Sequence, residues 1–327
     1  MKTIFYIDRI IQQNENLIWE AAFKRHFENV YSYKLGDFKI RKLRKDVEKY
    51  KPDMIHYGGS IKNENQIPID FYKEMHEKGI RQTVYYGDVY YNPYNFERAK
   101  YCNALHFTNY AFVRHPIFYF PSPCEPSLDD NGKEYDKKYD VVFIGSNAHP
   151  GRGEMLERIA QAGIEVHVWG SGWDDRKYLF NNHGNIWPFE KAYLIYKQAK
   201  ITLDDVSHCY CRYTHIDKKC EKNSSFYTPN ICNRIDCPQY MPTIAYFSNR
   251  LVIAASTGTC IVCGRRNGID LIFPDNSIIY ANMNNIVSKV KYCLRHEDVR
   301  KNIGENAKKI AIQYTYDVLI EKLMTFE

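Results

Sequence analysis

The feature that most constrains this chain is a rhythm that runs twice. Short β-branched and aromatic runs alternate with stretches of helical periodicity on either side of a proline-rich break. Before the break come KTIFYID, VYSYKL, DMIHYGG, RQTVYYGD, NALHFTN and IFYFP, with helical patterns over 17–28, 37–50 and 66–78. Strand, helix, strand in that order is the βαβ unit, whose parallel sheet must be covered by helices on both faces. Ligands of such sheets gather at the carboxyl ends of the strands.

The break is Pro121, Pro123 and Pro126 followed by SLDDNGKEYDKK, polar and without periodicity, which reads as an interdomain linker. The expected domains are therefore 1–130 and 131–327. In the second, the rhythm restarts with YDVVFIGS, a helix over 152–163, IEVHVWG, a helix over 189–199, and ITLDD. An irregular, cysteine-rich insert over 206–243 precedes a helix at 245–257, the strand TCIVCG, and helices at 283–294, 297–311 and 315–325. The expectation assigns the closing helices, 297–327, to the second domain.

Composition is compatible with two ordinary domains: 327 residues, 44% hydrophobic and 26% charged, can bury a sizeable core. A net charge of +6 suits an acidic ligand or a polyanion but is thinly spread. No apolar run approaches the roughly 20 residues that span a bilayer. Asp8 and Arg9 stand where a signal peptide needs its apolar centre, so a cytoplasmic protein is expected. In that compartment ten cysteines read as thiols or metal ligands.

Two stretches look built for phosphate. In Tyr246–Asp275, Ser248, Asn249 and Arg250 open a helix that Ser256, Thr257 and Gly258 close, joining free amides and small side chains to one arginine. Arg250 in a first turn opposes the helix dipole unless an anion is also bound there. Gly145 and Ser146 follow a buried strand and precede a helix beginning near Arg152, so loop amides and a cation converge; an ordinary strand-to-helix turn is the plainer alternative.

From Tyr139 onward the chain resembles the glycosyltransferase group 1 family of the spore-maturation (CgeB-like) type. The resemblance rests on DVVFIGS with Arg152, VHVWGSGW, LIYKQAKITL, SNR with Ala254 and Gly258, GIDLIFPD, and YCLRHEDVRKNIGENAKKIA. It implies a GT-B architecture, two Rossmann-like domains with parallel sheets facing across a cleft, the Cys-rich insert lying in the second. The donor domain would be the second and the acceptor side the first. The resemblance further implies that Gly170 and Trp173 border the nucleotide base. Tyr196 joins the donor candidates, although its spacing from Tyr193 fits packing against the sheet equally well. One position departs from the family, because Ile253 stands where members carry a glutamate that holds the donor ribose. Asp270 or Asn249 would then supply the acceptor oxygen.

Sugar transfer by inversion needs a base on the acceptor side. Asp88, after an aromatic strand, is preferred; Asp8 and His56 are rivals, and a turn or capping role competes for each. Asp174-Asp175 and Asp204-Asp205 read as turn chemistry rather than metal-binding signatures, since GT-B enzymes hold diphosphate with dipoles and basic residues. Cys209, Cys211, Cys220, Cys232 and Cys237 invite a structural zinc, though their spacing matches no known knuckle. Cys260 and Cys263 read as core. The basic run 39–51 reads as a solvated helix face that would meet phosphates if the acceptor were DNA.

The expectation is a metal-independent hexosyl or pentosyl transferase, monomeric or homodimeric, using a nucleotide-sugar such as a UDP-sugar. No cofactor is required for catalysis. Its hydroxyl acceptor is a glycan, a protein, or a hydroxymethylated pyrimidine of duplex DNA, the last implying a phage enzyme working in the host cytoplasm. The competing reading is a nucleotide-sugar binding protein that has lost catalysis.

Overall fold

The computed structural model describes residues 2–8, 14–58, 66–86, 97–107, 117–133, 135–147, 152–173, 179–186, 190–206, 209–211, 240–242, 248–265 and 269–326. The chain divides into two compact units, Met1–Glu125 with Tyr314–Glu327, and Pro126–Gln313.

The first unit is built on β1 (Thr3–Asp8), β2 (Asn29–Lys34), β3 (Met54–Tyr57), β4 (Arg81–Tyr86), β5 (Ala104–Phe107) and β6 (Ile117–Tyr119). Their order is β2-β1-β3-β4-β5-β6, every neighbouring pair parallel. β1 is buried along its whole length, as a central strand covered on both faces must be. On one face Phe5, Ile7, Ile55 and Tyr57 meet α2 (Ile40–Tyr50) through Leu43 and Val47, and α3 (Ile69–Glu77) through Phe71, Tyr72 and Met75. The cations of α2 point outward, several with partners: Lys42 pairs with Asp46, and Arg44 with Asp70 and Glu74.

The opposite face carries α1 (Asn14–His26) and the last helix, α10 (Tyr316–Thr325). Trp19 and Phe23 of α1 lie 4.9 and 5.2 Å from the His56 ring, and Trp19 meets the edge of Tyr316 at 5.0 Å. The carboxyl end of α10 is closed by Arg81, which donates to the carbonyls of Leu323 and Phe326, a cation placed where the helix dipole favours one. Arg25 ties α1 to Asp317 and Glu125, each at 2.8 Å. Tyr314–Glu327 thus belongs to the first unit, not to the second as the sequence reading had it. The buried positions Tyr316, Leu319, Ile320 and Leu323 announce an apolar stripe but do not say which sheet it covers.

The second unit holds β7 (Tyr139–Ile144), β8 (Val166–Trp169), β9 (Asn181–Asn182), β10 (Ala199–Leu203), β13 (Cys260–Gly264) and β14 (Ile279–Ala281), in the order β14-β13-β10-β7-β8-β9. Its helices are α4 (Arg152–Gln161), α5 (Glu190–Lys197), α6 (Asn249–Ser256), α7 (Ile269–Ile272), α8 (Ile286–Arg295) and α9 (Glu297–Ala311). Val141, Phe143, Val166, Val168, Ile201, Leu203 and Val262 form a core with Met155, Leu156 and Ile159 of α4 and Ile286, Val290 and Cys293 of α8. Cys260 and Cys263 are buried in β13. From β7 the chain builds outward to β8 and β9, then crosses back to set β10 on the other side. The gap between β7 and β10 is the point where such a sheet binds ligands.

A short antiparallel pair, β11 (Cys209–Cys211) and β12 (Tyr240–Pro242), brackets the cysteine-rich segment. Cys220, Cys232, Cys237 and the side chains of Cys209 and Cys211 lie outside the described residues, and the zinc expectation with them. Among the described residues no group of three or more His, Cys, Asp or Glu side chains is arranged to hold a metal ion. No helix there is long and apolar enough to cross a membrane.

Candidate functional site

Asp204 and Asp205 leave β10 at the switch point. Their backbone is fixed there, Asp204 donating to the Val262 carbonyl and Asp205 accepting from Gly264, both at 3.0 Å. Arg152, the first residue of α4, donates Nε and Nη2 to the two oxygens of Asp205 at 2.6 and 2.7 Å, and Nη1 to the Ser146 carbonyl at 2.7 Å. Arg250, in the first turn of α6, donates Nε to the Ile144 carbonyl at 2.8 Å and Nη1 to Asp204. Asp205 Oδ2 lies 3.7 Å from the same Nη1. Both guanidinium groups lie against the Phe143 ring, 4.8 Å for Arg250 and 5.5 Å for Arg152.

Among the described residues, two arginines and two aspartates thus form a largely buried quartet with matched charges. Only 3% of the Arg152 side chain and 12% of Arg250 reach the surface. The reading of Asp204-Asp205 as turn chemistry is corrected by these contacts. A pointer was present in the sequence: adjacent carboxylates directly after a buried strand need cations, and two arginines were already expected at that edge.

The loops after β7 and β8 are laced together. Gly145 donates its N–H to the Trp169 carbonyl at 2.7 Å, Asn147 donates to Ser171 at 2.9 Å, and Trp173 Nε1 donates to the Gly145 carbonyl at 2.8 Å. The lack of a side chain counts at two points here. A Cβ on Gly145 would stand 2.8 Å from Arg250 Nη2, and one on Gly170, whose φ is +144°, would stand 2.2 Å from the Gly145 carbonyl. The amides of Gly145 and Asn147, expected to approach phosphate, are therefore engaged within the loops, which makes the turn rigid. Trp173 is 1% exposed and packs edge-on against Phe143 and Phe180. Its indole is core rather than an open face for a base.

Of the other donor candidates, Tyr196 lies within electrostatic reach of Arg250 and Asp204, whereas no described contact joins Ser256, Thr257, Gly258 or Asp270 to Arg250. Ser256 and Thr257 are buried at the carboxyl end of α6, their hydroxyls donating to Ile253 and Ala254 carbonyls of their own helix at 2.8 and 2.7 Å. Gly258, in the left-handed region at φ +74°, ends that helix against Gly304 of α9. Six residues along a helix is about 9 Å, and this end carries the negative pole. Tyr196 is buried, burial pushing its phenol pKa up, and its carbonyl accepts from Thr259. Ile253 is buried as well. Asp270 opens α7 and lies 3.8 Å from Arg265, which also pairs with Asp275 and rests on Tyr280 at 4.1 Å. The side chain of Asn249 is outside the described residues.

In the first unit, Asp8 ends β1 beside β3, the switch point of that sheet. It accepts from Tyr6 Oη at 3.2 Å and lies over Gly58, where a Cβ would stand 1.9 Å from Oδ2. His56 is fully buried, its Nδ1 2.9 Å from Thr83 Oγ1, and burial pushes its pKa down to about 3, as it does for His106. Burial makes His56 a core residue rather than a solvent-facing base. Asp88 lies outside the described residues.

The model of the glycosyl transferase-like family matches residues 152–325, more than half of the chain. The chain belongs to that family. Among solved structures, this glycosyl transferase-like chain is similar to Anabaena Alr3699/HepE in complex with UDP, at 10% identity and a TM-score of 0.63 over 99% of this chain and 100% of that one. It is also similar to sucrose-phosphate synthase from Thermosynechococcus elongatus, at 10% identity and a TM-score of 0.60 over 99% and 98%. AviGT4, a glycosyltransferase involved in avilamycin A biosynthesis, is similar at 11% identity and a TM-score of 0.61 over 99% and 96%. No curated protein sequence matches the chain. At such identities the shared property is the fold, the two-sheet α/β architecture of GT-B glycosyltransferases.

Proposed function

We propose that this protein transfers a sugar from a nucleotide-sugar, in the first instance a UDP-sugar, to a hydroxyl acceptor. The donor diphosphate would be held at the carboxyl edge of the second sheet by Arg250 and the start of α6. The observation that carries this reading is Arg250 fixed over Gly145 at the switch point, at the amino end of a helix whose Ser248 makes no side-chain cap. A nucleoside diphosphate leaving group gains negative charge as the glycosidic bond breaks, and an oriented guanidinium with helix amides stabilises that charge without a metal. HepE, similar in fold, has been solved with UDP and with UDP-glucose, which supports a uridine donor.

On the acceptor side Asp8 is the described carboxylate that fits a general base, with Asp88 retained beside it; a retaining route would need neither. The ordered motifs from DVVFIGS to YCLRHEDVRKNIGENAKKIA support the spore-maturation (CgeB-like) type within the family. The acceptor hydroxyl belongs to a glycan, a protein or hydroxymethylated DNA, and the reaction is assigned to the cytoplasm.

Purified protein incubated with UDP-glucose and other common UDP-sugars is expected to release UDP, with EDTA leaving the rate unchanged. Nucleotide binding without turnover of any donor would sink the transferase reading in favour of a binding protein. Duplex DNA binding measured over a salt series separates the acceptors, because phosphate contacts give a steep salt dependence and a flat response removes DNA.

A further inference from the structure

Among the described residues, Arg250 is held in one pose from several sides. Nε is on the Ile144 carbonyl, Nη1 on Asp204, Nη1 also within 3.7 Å of Asp205, and the guanidinium plane is on Phe143. The same pose sets Nη2 beside Gly145, where only the missing side chain leaves room. An arginine recruited only for its charge would not need this: a lysine or a loosely held arginine at a helix start supplies the same attraction to an anion. A buried quartet is also a poor route to stability, because desolvating four ions offsets most of their mutual attraction and a packed apolar cluster does as well or better. What a fixed fork adds is direction, since guanidinium recognises phosphate through paired N–H groups in a set plane.

Resting on the donor reading above, we propose that Asp204 is a positioning residue. It acts through Arg250, turning the guanidinium so that its outer edge faces the Gly145–Ser146 turn, where the phosphates of a nucleoside diphosphate bind. Asp205 holds Arg152 against the Ser146 carbonyl, which fixes the turn itself, and by lying between the two arginines it couples them. Among the described residues these four side chains carry matched charges, so recognition draws on the orientation of donors more than on a net positive field. Binding is accordingly expected to be less salt-sensitive than a lysine-rich phosphate site would be.

The test is a double-mutant cycle on the full chain, with UDP affinity measured by titration calorimetry and folding followed by circular dichroism and thermal melting. Arg250→Gln and Asp204→Asn are each expected to weaken UDP binding at least tenfold, and the double variant no more than the worse single. If Asp204→Asn binds UDP as the parent does, or if the two losses multiply in the double variant, the positioning role is overturned. Should Asp204→Asn fail to fold, Asp204→Glu keeps the charge and displaces the carboxylate; it is expected to show the same loss with its helical signal intact. Unchanged binding by that variant overturns the proposal. A parent chain that binds neither UDP, ADP nor GDP overturns the donor reading itself, an outcome distinct from parental binding that ignores Asp204.

Discussion

Arg152 and Asp205 face each other as a bidentate pair, two parallel N–H to oxygen bonds of 2.6 and 2.7 Å between side chains that are almost wholly out of water. Breaking such a pair from one side strands a buried charge, which costs more than the pair itself contributes. Asp205→Ala is therefore expected to destabilise the protein by about 3–5 kcal/mol. The double change Arg152→Met with Asp205→Leu is expected to cost less than Asp205→Ala alone. Urea denaturation of the two variants measures the difference, and equal losses would mean that the charges are compensated elsewhere.

The two glycines of the laced loops should fail differently. On Gly170 a methyl group meets backbone, the Gly145 carbonyl, from a φ of +144° that side chains avoid; Gly170→Ala is expected to cost about 2–4 kcal/mol in thermal or chemical denaturation. On Gly145 the methyl group meets the end of a side chain, the Arg250 guanidinium, and pushes it out of its pose at less cost than moving backbone. Gly145→Ala should melt within a few degrees of the parent yet bind UDP at least tenfold more weakly. The reverse ranking of the two variants in stability would contradict the geometry.

Acid should unfold the first unit early. The folded state keeps His56 and His106 neutral down to about pH 3, whereas an unfolded histidine takes its proton near pH 6.5. Between those values the unfolded chain binds more protons, so stability falls as pH falls, by up to about 1.4 kcal/mol per pH unit for each histidine. Above pH 6.5 these two residues contribute no slope. His56→Leu is expected to halve the slope attributable to the pair, read as urea midpoints from pH 7 to pH 4.

The last helix can be tested by removal. A chain ending at Gln313 loses the Tyr316 contact with Trp19 and leaves Arg81 without the Leu323 and Phe326 carbonyls. Hydrogen exchange is expected to rise in α1 and β4, far away in sequence, while α4 and α8 keep parental protection. Increased exchange confined to the second unit would be the opposite result.

The fold was legible because period is a local property. Each strand run named from β-branched and aromatic residues, and each helix from KRHFE-type or RKLRK-type periodicity, emerges as an element within a few residues. β9, β14 and α7 escaped notice, being two, three and four residues long and too short to show a period. The destination of α10 was not legible, since an apolar stripe fits either sheet. At the candidate site, Arg152, Arg250, Gly145 and Gly170 could be picked out one by one. Their joining through Asp204 and Asp205 could not, because contacts between residues 152, 205 and 250 are set by strand order, which hydrophobic pattern leaves open. Ser256, Thr257 and Trp173 illustrate the converse: residue types suited to a ligand, used by the fold for a helix end and a core.

The split ownership of the chain has a consequence for its birth on the ribosome. Residues 126–313 are contiguous and complete one unit, whereas the unit that contains the first 125 residues also needs the last fourteen. Synthesis from the amino terminus therefore delivers the second unit whole while the first still lacks a helix. The half begun earliest is completed after the other, holding the apolar side of Trp19 uncovered until residues 314–327 have been made, an interval in which a nascent chain depends on chaperones.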